Sequence, residues 1–369
     1  MNVIKISRDA LVKPLQAVSG IVERRHTLPI LSNVLFSVRS DQVEMVATDI
    51  EIEITARTTA EAGSQEKMVT VGARKFLDIL RALPEGSEVS LGLADKRLQI
   101  RSGKSRFNLQ TLPAEDFPRL VAAEGPATKF SVAQKLFRDL IALVQYAMAQ
   151  QDIRYYLNGL LVVVEDGQLK LVATDGHRLA FASKEVGSRD LPRQEVILPR
   201  KTVLELARLL GDSADPVEVE LSAGQARFRF GAVVLVSKLV DGKFPDYTRV
   251  IPAQQSKRLR FKRLELLSAL QRAAILTSDK FRGVRWLLSD GSLKIICSNT
   301  EQEEAQEEID VVYQGEALDI GFNVGYLVDV LSNLDIAEVD CGLGDGNSSA
   351  LITVPGRDDF KYVVMPMRM

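Results

Sequence analysis

Three short motifs in the sequence have residue types used in phosphate binding or catalysis. Gly103-Lys104-Ser105 looks like the end of a phosphate-binding loop, but Leu98 stands where that loop needs glycine, and strands rather than a helix are predicted after it. The glycine-rich stretch 342–346 also lies between predicted strands, unlike a dinucleotide site. Asp175 and His177 could act as an acid–base pair, yet they lie two residues apart in a predicted corner without a nucleophile. We therefore predict no catalytic site.

Metal and disulfide chemistry are not favoured by the composition. The sequence has two histidines and two cysteines. Cys297 and Cys341 lie in strand-like segments and have no partners at the spacing of a metal site. We expect reduced structural thiols, no metal and no cofactor.

Length and composition are typical of a soluble globular protein of two or three domains. Of 369 residues, 46% are hydrophobic and 26% charged, and the formal net charge is −2. No stretch approaches the roughly 18 apolar residues of a membrane span, and the first residues lack the apolar core of a secretory signal. We expect a cytoplasmic protein that is not basic all round, although one basic face is compatible with its charge.

A threefold internal repeat positions these motifs. Its unit is clearest from 155 to 183, where a strand, an acidic turn, a second strand and a polar corner follow one another. Leu157, Asp175 and Pro199 correspond to Leu31, Asp49 and Ala73, 126 residues earlier, and to Phe281, Asn299 and Asn323, 124 residues later. We predict three domains of about 120 residues, at 1–127, 128–255 and 256–369.

Each copy is predicted to contain two helices packed on one face of about eight antiparallel strands, an α+β architecture. The first helix follows Ser7 as N-cap, and Pro14 is expected to bend or shorten it. One long strand is predicted from 42 to 56. Ser131 and Gln134 have the spacing of a capping box before the first helix of copy two.

Basic residues recur between the apolar positions of the predicted helices. A solvated helix face is the usual explanation for any one of them. Recurrence in three copies favours a basic lining that contacts phosphates without recognising bases. The residues are Lys13, Arg74, Lys75, Arg81, Lys135, Arg138, Arg200, Lys201, Arg208, Lys257, Arg258, Arg260, Lys262 and Arg263.

Longer segments resemble a known family over essentially the whole chain. They are LPIL at 28–31, RYYLNG at 154–159, TDGHRL at 174–179, FPDY at 244–247, KFRG at 280–283 and the ending YVVMPMRM. In this order they are similar to the bacterial DNA polymerase III beta subunit, the sliding clamp. The resemblance implies three clamp domains per chain and a head-to-tail homodimer that forms a closed six-domain ring around double-stranded DNA. It implies a tether for polymerases without catalysis of its own.

The resemblance also implies two binding regions. Residues implied to lie close to DNA are Arg25, Gln151, Arg154, Tyr155 and Tyr156. A cleft for short peptides of polymerases, clamp loader and repair proteins is implied at Leu157, Thr174, Gly176, His177, Arg178, Leu179, Pro245, Arg249, Val250, Asn323, Tyr326, Ser349, Val364, Met365, Pro366, Met367 and Arg368. The chain departs from the family pattern at Asn347, where an apolar residue is expected, and at Met369, where leucine is usual.

Opposite charges lie at opposite ends of the repeat. The acidic residues of copy three are Glu301, Glu303, Glu304, Glu307 and Glu308, and the basic residues at the end of copy one are Arg97, Arg101, Lys104 and Arg106. A solvated acidic face is the alternative interpretation. Together with the resemblance, the charges favour a seam between two chains. Its apolar centre is predicted at Phe107, Leu109, Ile275 and Leu276.

Helix geometry predicts that encircling DNA needs two chains. Six helices side by side at about 10 Å give a circumference of about 60 Å and almost no bore. Twelve helices give about 120 Å and a bore of roughly 28 Å, enough for a duplex roughly 20 Å across. Two other functions are alternatives to a DNA-encircling clamp. One is a nucleic-acid enzyme, which needs a carboxylate or metal cluster, and the other is a scaffold that binds only proteins, which does not need basic helices.

Overall fold

The computed structural model describes residues 3–23, 27–60, 66–94, 96–187, 191–278 and 282–368. Within these ranges each copy contains two α-helices and eight β-strands, which confirms the predicted content. Copy one has β1 (Val3–Ser7), α1 (Arg8–Ser19), β2 (Asn33–Arg39), β3 (Gln42–Thr48), β4 (Ile52–Thr59), β5 (Lys67–Gly72), α2 (Ala73–Ala82), β6 (Glu88–Ala94), β7 (Arg97–Ser102) and β8 (Ser105–Leu112). Copy two has β9 (Thr128–Ala133), α3 (Gln134–Val144), β10 (Gly159–Glu165), β11 (Gln168–Thr174), β12 (Arg178–Glu185), β13 (Gln194–Pro199), α4 (Arg200–Leu209), β14 (Pro216–Ser222), β15 (Gln225–Phe230) and β16 (Val233–Lys238). Copy three has β17 (Lys257–Lys262), α5 (Arg263–Ala273), β18 (Gly283–Ser289), β19 (Ser292–Ser298), β20 (Glu304–Asp310), β21 (Leu318–Asn323), α6 (Val324–Asn333), β22 (Glu338–Leu343), β23 (Ala350–Val354) and β24 (Arg357–Val364).

The strands form antiparallel sheets that continue across the copies. A twelve-stranded sheet has the order β1-β6-β7-β8-β5-β2-β3-β4-β16-β15-β14-β9. An eight-stranded sheet has the order β13-β10-β11-β12-β24-β23-β22-β17, and a four-stranded sheet the order β20-β19-β18-β21. The pair β4 and β16 therefore joins copies one and two, and the pair β12 and β24 joins copies two and three.

Contacts divide the chain into two compact units. One comprises residues 1–137 and 204–239, the other 138–203 and 240–369. The division cuts copy two because four of its strands continue the sheet of copy one, and the other four share a sheet with copy three. The boundaries at 127/128 and 255/256 lie in connections between strands and stay predictions.

The first helix shows how local signals and packing compete. Ser7 Oγ accepts a hydrogen bond from the amide of Ala10 at 3.2 Å, as expected of an N-cap. The expectation that Pro14 shortens the helix is wrong: α1 runs for 12 residues with Pro14 buried inside it. Leu11 and Leu15 are buried on the same helix, and this packing offsets the hydrogen bond that proline cannot make.

Two further sequence predictions need correction. The long strand from 42 to 56 is two strands, β3 and β4, because the chain turns at Ile50, which has a φ of +70°. The capping box at Ser131 is also wrong, since Ser131 pairs with Glu218 inside the β9–β14 ladder and α3 begins at Gln134.

The basic residues of copy three differ from the prediction. Lys257, Arg258, Arg260 and Lys262 lie on β17 rather than on a helix, and only Arg263 belongs to α5. Arg260 forms a bidentate pair with Asp340 at 2.6 and 3.0 Å. Strand propensity and pairing with β22 explain this placement, and the basic character of the helices is therefore concentrated in copies one and two.

The glycine-containing motifs lie at strand connections, although 342 and 343 were predicted to lie between strands and belong to β22. Gly103 and Lys104 form the turn of the β7–β8 hairpin, which closes with Ser102 opposite Ser105. Residues 342–346 lie at the end of β22 and the connection to β23. In the described ranges, no cluster of His, Cys, Asp and Glu could hold a metal ion, and no helix is long and apolar enough to cross a membrane.

Candidate functional site

An apolar cavity of about 220 Å³ opens in the second compact unit, where copies two and three meet. Its floor belongs to a buried hydrophobic cluster that includes Leu157, Leu179, Phe244 and Val363. The lining residues are Arg154, Tyr156, Leu157, Thr174, Gly176, Arg178, Leu179, Phe244, Pro245, Tyr247, Val250, Val363 and Met365. An apolar floor with a few polar groups at its edge suits a short peptide or a small apolar molecule.

The corner between β11 and β12 shapes one wall of the cavity. Thr174 Oγ1 accepts from the amide of Gly176 at 3.1 Å and donates to the carbonyl of Arg178 at 2.5 Å. Asp175 Oδ1 accepts from the amide of Arg178 at 3.1 Å. Gly176 has a φ of +89°, a conformation that glycine adopts without steric cost. A Cβ at this position would lie 2.8 Å from the guanidinium of Arg154, so the glycine also makes room for that side chain.

The last strand and the residues after it form another wall. β24 pairs with β12, and beyond its end the amide of Met365 donates to the carbonyl of His177 at 2.9 Å. The amide of Met367 donates to the carbonyl of Gly321 at 2.9 Å. Met365 lines the cavity and is 42% exposed, which places a flexible apolar side chain at its surface.

Arg154 is held at the edge of the cavity by Asp152. Its Nε and Nη2 donate to the two carboxylate oxygens at 3.0 and 2.8 Å, and its amide donates to Oδ1 at 2.8 Å. These hydrogen bonds lower the pKa of Asp152 to about 2. The pair is ionised at neutral pH, and its geometry fixes a guanidinium beside the apolar floor.

Arg178 is more deeply enclosed, with a side chain only 9% exposed. Nε donates to Asp175 Oδ2 at 3.0 Å and Nη1 to Asp329 Oδ2 at 2.6 Å. Nη2 donates to the carbonyl of Tyr146 at 2.6 Å. The guanidinium carbon lies 4.3 Å from the centre of the Tyr326 ring. Each guanidinium nitrogen therefore has a partner within the protein.

Eight predicted cleft residues line the cavity: Leu157, Thr174, Gly176, Arg178, Leu179, Pro245, Val250 and Met365. The same compact unit contains the other predicted cleft residues, which are His177, Arg249, Asn323, Tyr326, Ser349, Val364, Pro366, Met367 and Arg368. Asn323 caps α6 by accepting from the amide of Gly325 at 2.9 Å. The cavity is also lined by Phe244, Tyr247 and Val363, which the sequence did not predict, although the first two belong to the FPDY segment. Peptide binding by this set stays a prediction.

The described residues predicted to lie near DNA belong to one short segment, 151–156. Arg25 lies outside the described residues. Gln151 is exposed with a φ of +57°, and Tyr155 is 57% exposed. Arg154 and Tyr156 of this segment also line the cavity. A role of these residues in DNA binding stays a prediction.

The predicted seam residues lie on or beside three strands and at one helix end. Arg97 and Arg101 are exposed on β7, and Lys104 and Arg106 are exposed at the β7–β8 turn and on β8. Phe107 and Leu109 of β8 are half-buried. Glu301, Glu303 and Glu304 are exposed at the corner before β20 and at its first residue. Ile275, just beyond α5, is 76% exposed, and Leu276 is half-buried.

A second cavity lies beside β8 in the first compact unit. It has a volume of about 470 Å³. Its lining includes Val22, Pro29, Lys75, Leu109 and Leu112. Apolar and basic groups therefore meet next to the predicted basic side of the seam.

Comparisons with known proteins cover the whole chain. Sequence profiles of the DNA polymerase III beta subunit match its N-terminal domain at residues 1–121, its central domain at 131–246 and its C-terminal domain at 248–368. The beta sliding clamps of Pseudomonas aeruginosa and Escherichia coli are 48% and 46% identical over 365 and 364 residues, which is 99% of each chain. The chain belongs to the DNA polymerase III beta subunit family. This confirms the resemblance inferred from the motifs.

Solved sliding clamps have the same fold. The structure of the Pseudomonas aeruginosa clamp bound to griselimycin is 48% identical and superposes with a TM-score of 0.95, covering 100% of both chains. Caulobacter crescentus pol III beta is 39% identical, with a TM-score of 0.92 and the same coverage. The chain is therefore a sliding clamp, a non-catalytic processivity factor whose partners are DNA and DNA polymerases.

Proposed function

We propose that two copies of this sliding clamp associate head to tail into a closed ring around double-stranded DNA. The observation that carries the proposal is a repeated junction. In each of the two junctions within the chain, the strand that follows the corner of one copy pairs with the last strand of the next copy: β4 with β16 and β12 with β24. By the same rule β20, which follows the corner of copy three, would pair with the last strand of another copy. Likewise β8, the last strand of copy one, would pair with a strand that follows a corner.

Both strands have a free edge for that pairing. Within the described residues β20 pairs with β19 alone. Residues 105–110 of β8 pair with β7, and only Thr111 and Leu112 also pair with β5. Unpaired edges are templates for another strand. In a head-to-tail dimer, β20 of each chain pairs with β8 of the other chain. This contact is made twice, so no edge of β8 or β20 remains unpaired and the assembly is closed.

Charge and shape support the same contact. The corner before β20 carries Glu301 and Glu303, whereas β8 and its hairpin carry Lys104 and Arg106. Opposite charges set register and raise the association rate. Ile275 is exposed at the end of α5 and suits the apolar part of the 470 Å³ cavity beside β8. Such an apolar centre supplies most of the affinity of an interface.

DNA would be held without recognition of its bases. Arg74, Lys75 and Arg81 are exposed on α2, and Lys13 is exposed on α1. Exposed cationic side chains attract phosphates without specific contacts, and this attraction weakens as the salt concentration rises. With Gln151, Tyr155 and related residues at the inner surface, the ring would slide along the duplex in the cytoplasm.

The 220 Å³ cavity would tether partners by short linear peptides. Its floor accepts two or three apolar side chains, and the fixed guanidinium of Arg154 at its edge can meet a backbone carbonyl or a carboxylate. A short peptide also has its own ordering cost, so affinity around micromolar is expected. Polymerases, the clamp loader and repair proteins could then exchange on one site.

Sedimentation tests the assembly directly. The wild-type chain is expected to sediment as a dimer at low micromolar concentration. A variant in which the charge of the β7–β8 hairpin is reversed, Arg101→Glu with Arg106→Glu, is expected to sediment as a monomer. A monomeric wild type would contradict the head-to-tail contact.

A further inference from the structure

We propose that Arg178 is a positioning residue, a clasp that joins copies two and three and thereby holds the shape of the cavity, rather than a group that contacts the partner peptide. The inference rests on the proposed function of the cavity. It assigns to Asp329 of α6 a role in peptide affinity although Asp329 is not among the residues that line the cavity.

The donors of Arg178 are committed inside the protein. Nε, Nη1 and Nη2 donate to Asp175, to Asp329 and to the carbonyl of Tyr146, at 3.0, 2.6 and 2.6 Å. The guanidinium carbon lies 4.3 Å from the centre of the Tyr326 ring and 5.8 Å from that of Tyr146. The guanidinium is buried between two carboxylates, so breaking either ion pair to reach a ligand would be strongly destabilising.

The junction between copies one and two contains a related clasp on a different element. Arg208 of α4 donates to the carbonyls of Gln16 and Ala17 in the last turn of α1, at 3.4 and 2.7 Å. Its Nε also donates to Glu205 Oε2 at 3.0 Å. An arginine thus links a carboxylate on the second helix of one copy to the end of the first helix of the other.

At the equivalent helix positions copy three has a carboxylate but no arginine. Glu205 and Arg208 are the sixth and ninth residues of α4, and the sixth and ninth residues of α6 are Asp329 and Ser332. The missing guanidinium is supplied by Arg178, the first residue of β12. In copy one the first residue of β4 is Ile52.

This exchange moves the clasp into the wall of the cavity. The carbonyl of Arg178 accepts from Thr174, and the residue before it, His177, accepts from the amide of Met365. Val364 is the register partner of Arg178 in the β12–β24 ladder. A shift of the guanidinium therefore displaces both the corner and the tail, which are two walls of the cavity.

A double-mutant cycle on peptide affinity separates positioning from contact. The probe is a synthetic peptide of the Gln-Leu-x-Leu-Phe type, whose leucines and phenylalanine supply the two or three apolar side chains that the floor accepts, and its binding to the full-length chain is measured by calorimetry. We expect Arg178→Lys and Asp329→Ala each to weaken binding by about tenfold, and the double variant to bind no more weakly than Arg178→Lys alone, because both changes break one clasp. Asp329→Glu, which keeps the carboxylate, is expected to regain most of the affinity.

The matched control is Asp340→Ala, which removes the partner of Arg260 elsewhere in the same unit. It is expected to leave peptide affinity unchanged, and circular dichroism checks that every variant is folded. The proposal is overturned if Asp329→Ala binds like the wild type or if the two losses add, since a direct peptide contact by Arg178 gives those results. A wild-type chain that does not bind the peptide overturns the proposed function of the cavity as well.

Discussion

The amide of Met365 donates to the carbonyl of His177 at 2.9 Å, so the chain's last residues are tied to the corner that begins β12. The bond joins two walls of one cavity, and these walls come from copies two and three of the repeat. Deleting residues 365–369 is expected to abolish peptide binding, because the deletion removes this bond and the apolar side chain of Met365 from the lining.

The same deletion is expected to leave the dimer intact, because β8 and β20 lie elsewhere. Calorimetry with the peptide and sedimentation without it measure the two effects separately. Unchanged peptide affinity after the deletion would refute the assignment of the cavity, even if the dimer persisted.

Ile275→Ala combined with Leu276→Ala is expected to give a folded monomer. Ile275 is 76% exposed in the single chain, and the loss of aliphatic contacts at an interface centre costs on the order of 2 kcal/mol or more for each residue. Leu264→Ala is the control, since it removes an exposed aliphatic side chain from α5 itself. Sedimentation at low micromolar concentration should show a monomer for the double variant and a dimer for the control, and a dimeric double variant would place the seam elsewhere.

Gly176→Ala is expected to weaken peptide binding beyond its effect on stability. The left-handed backbone at Gly176 costs alanine about 1–2 kcal/mol, and the added Cβ would also displace the guanidinium of Arg154, 2.8 Å away. Gly224→Ala is a matched control, because Gly224 has a φ of +77° but no neighbouring atom within 4 Å of its Cβ position. The melting temperature should fall by a similar amount in both variants, and only Gly176→Ala should lose peptide affinity. Equal peptide affinities would show that Arg154 is not held by this contact.

Asp152 is expected to titrate far below the usual range. The hydrogen bonds from Arg154 lower its pKa from 3.8 to about 2 in the folded protein. A lowered folded pKa means that the carboxylate stabilises the native state above pH 3.8, and that this contribution is lost as the pH falls towards 2. Carbon-13 NMR of the carboxyl group should show the low midpoint, and Arg154→Ala should return it towards 3.8. A wild-type midpoint near 3.8 would contradict the fixed pair.

Much of each copy could be predicted from its own sequence. Apolar spacing and turn residues predicted two helices and about eight strands per copy, as the structure has them in the described residues. The corner at Ile50 was missed because Ile50, Ile52 and Ile54 alternate like a strand, although only the last two lie in β4. A positive φ at a β-branched residue has no signal in such a pattern.

The arrangement of the cavity could not be predicted in the same way. The β12–β24 pair joins residues about 180 positions apart, and no local pattern specifies which distant strands become neighbours. The resemblance assigned Arg154 to the DNA-binding residues and gave no sign that it also lines the cavity. Only the resemblance to the clamp family indicated that the tail and the corner at 174–179 meet.

The most direct test of the ring is retention on circular and linearised DNA of the same sequence and length. Clamps are loaded on nicked circular DNA, and the bound fraction is followed by gel filtration after a restriction enzyme cuts the circle once. A closed ring that slides without base contacts should stay on the circle and leave the linear form over its ends. Equal retention on both forms at physiological salt would contradict encirclement and would show instead that the chain binds the DNA surface directly.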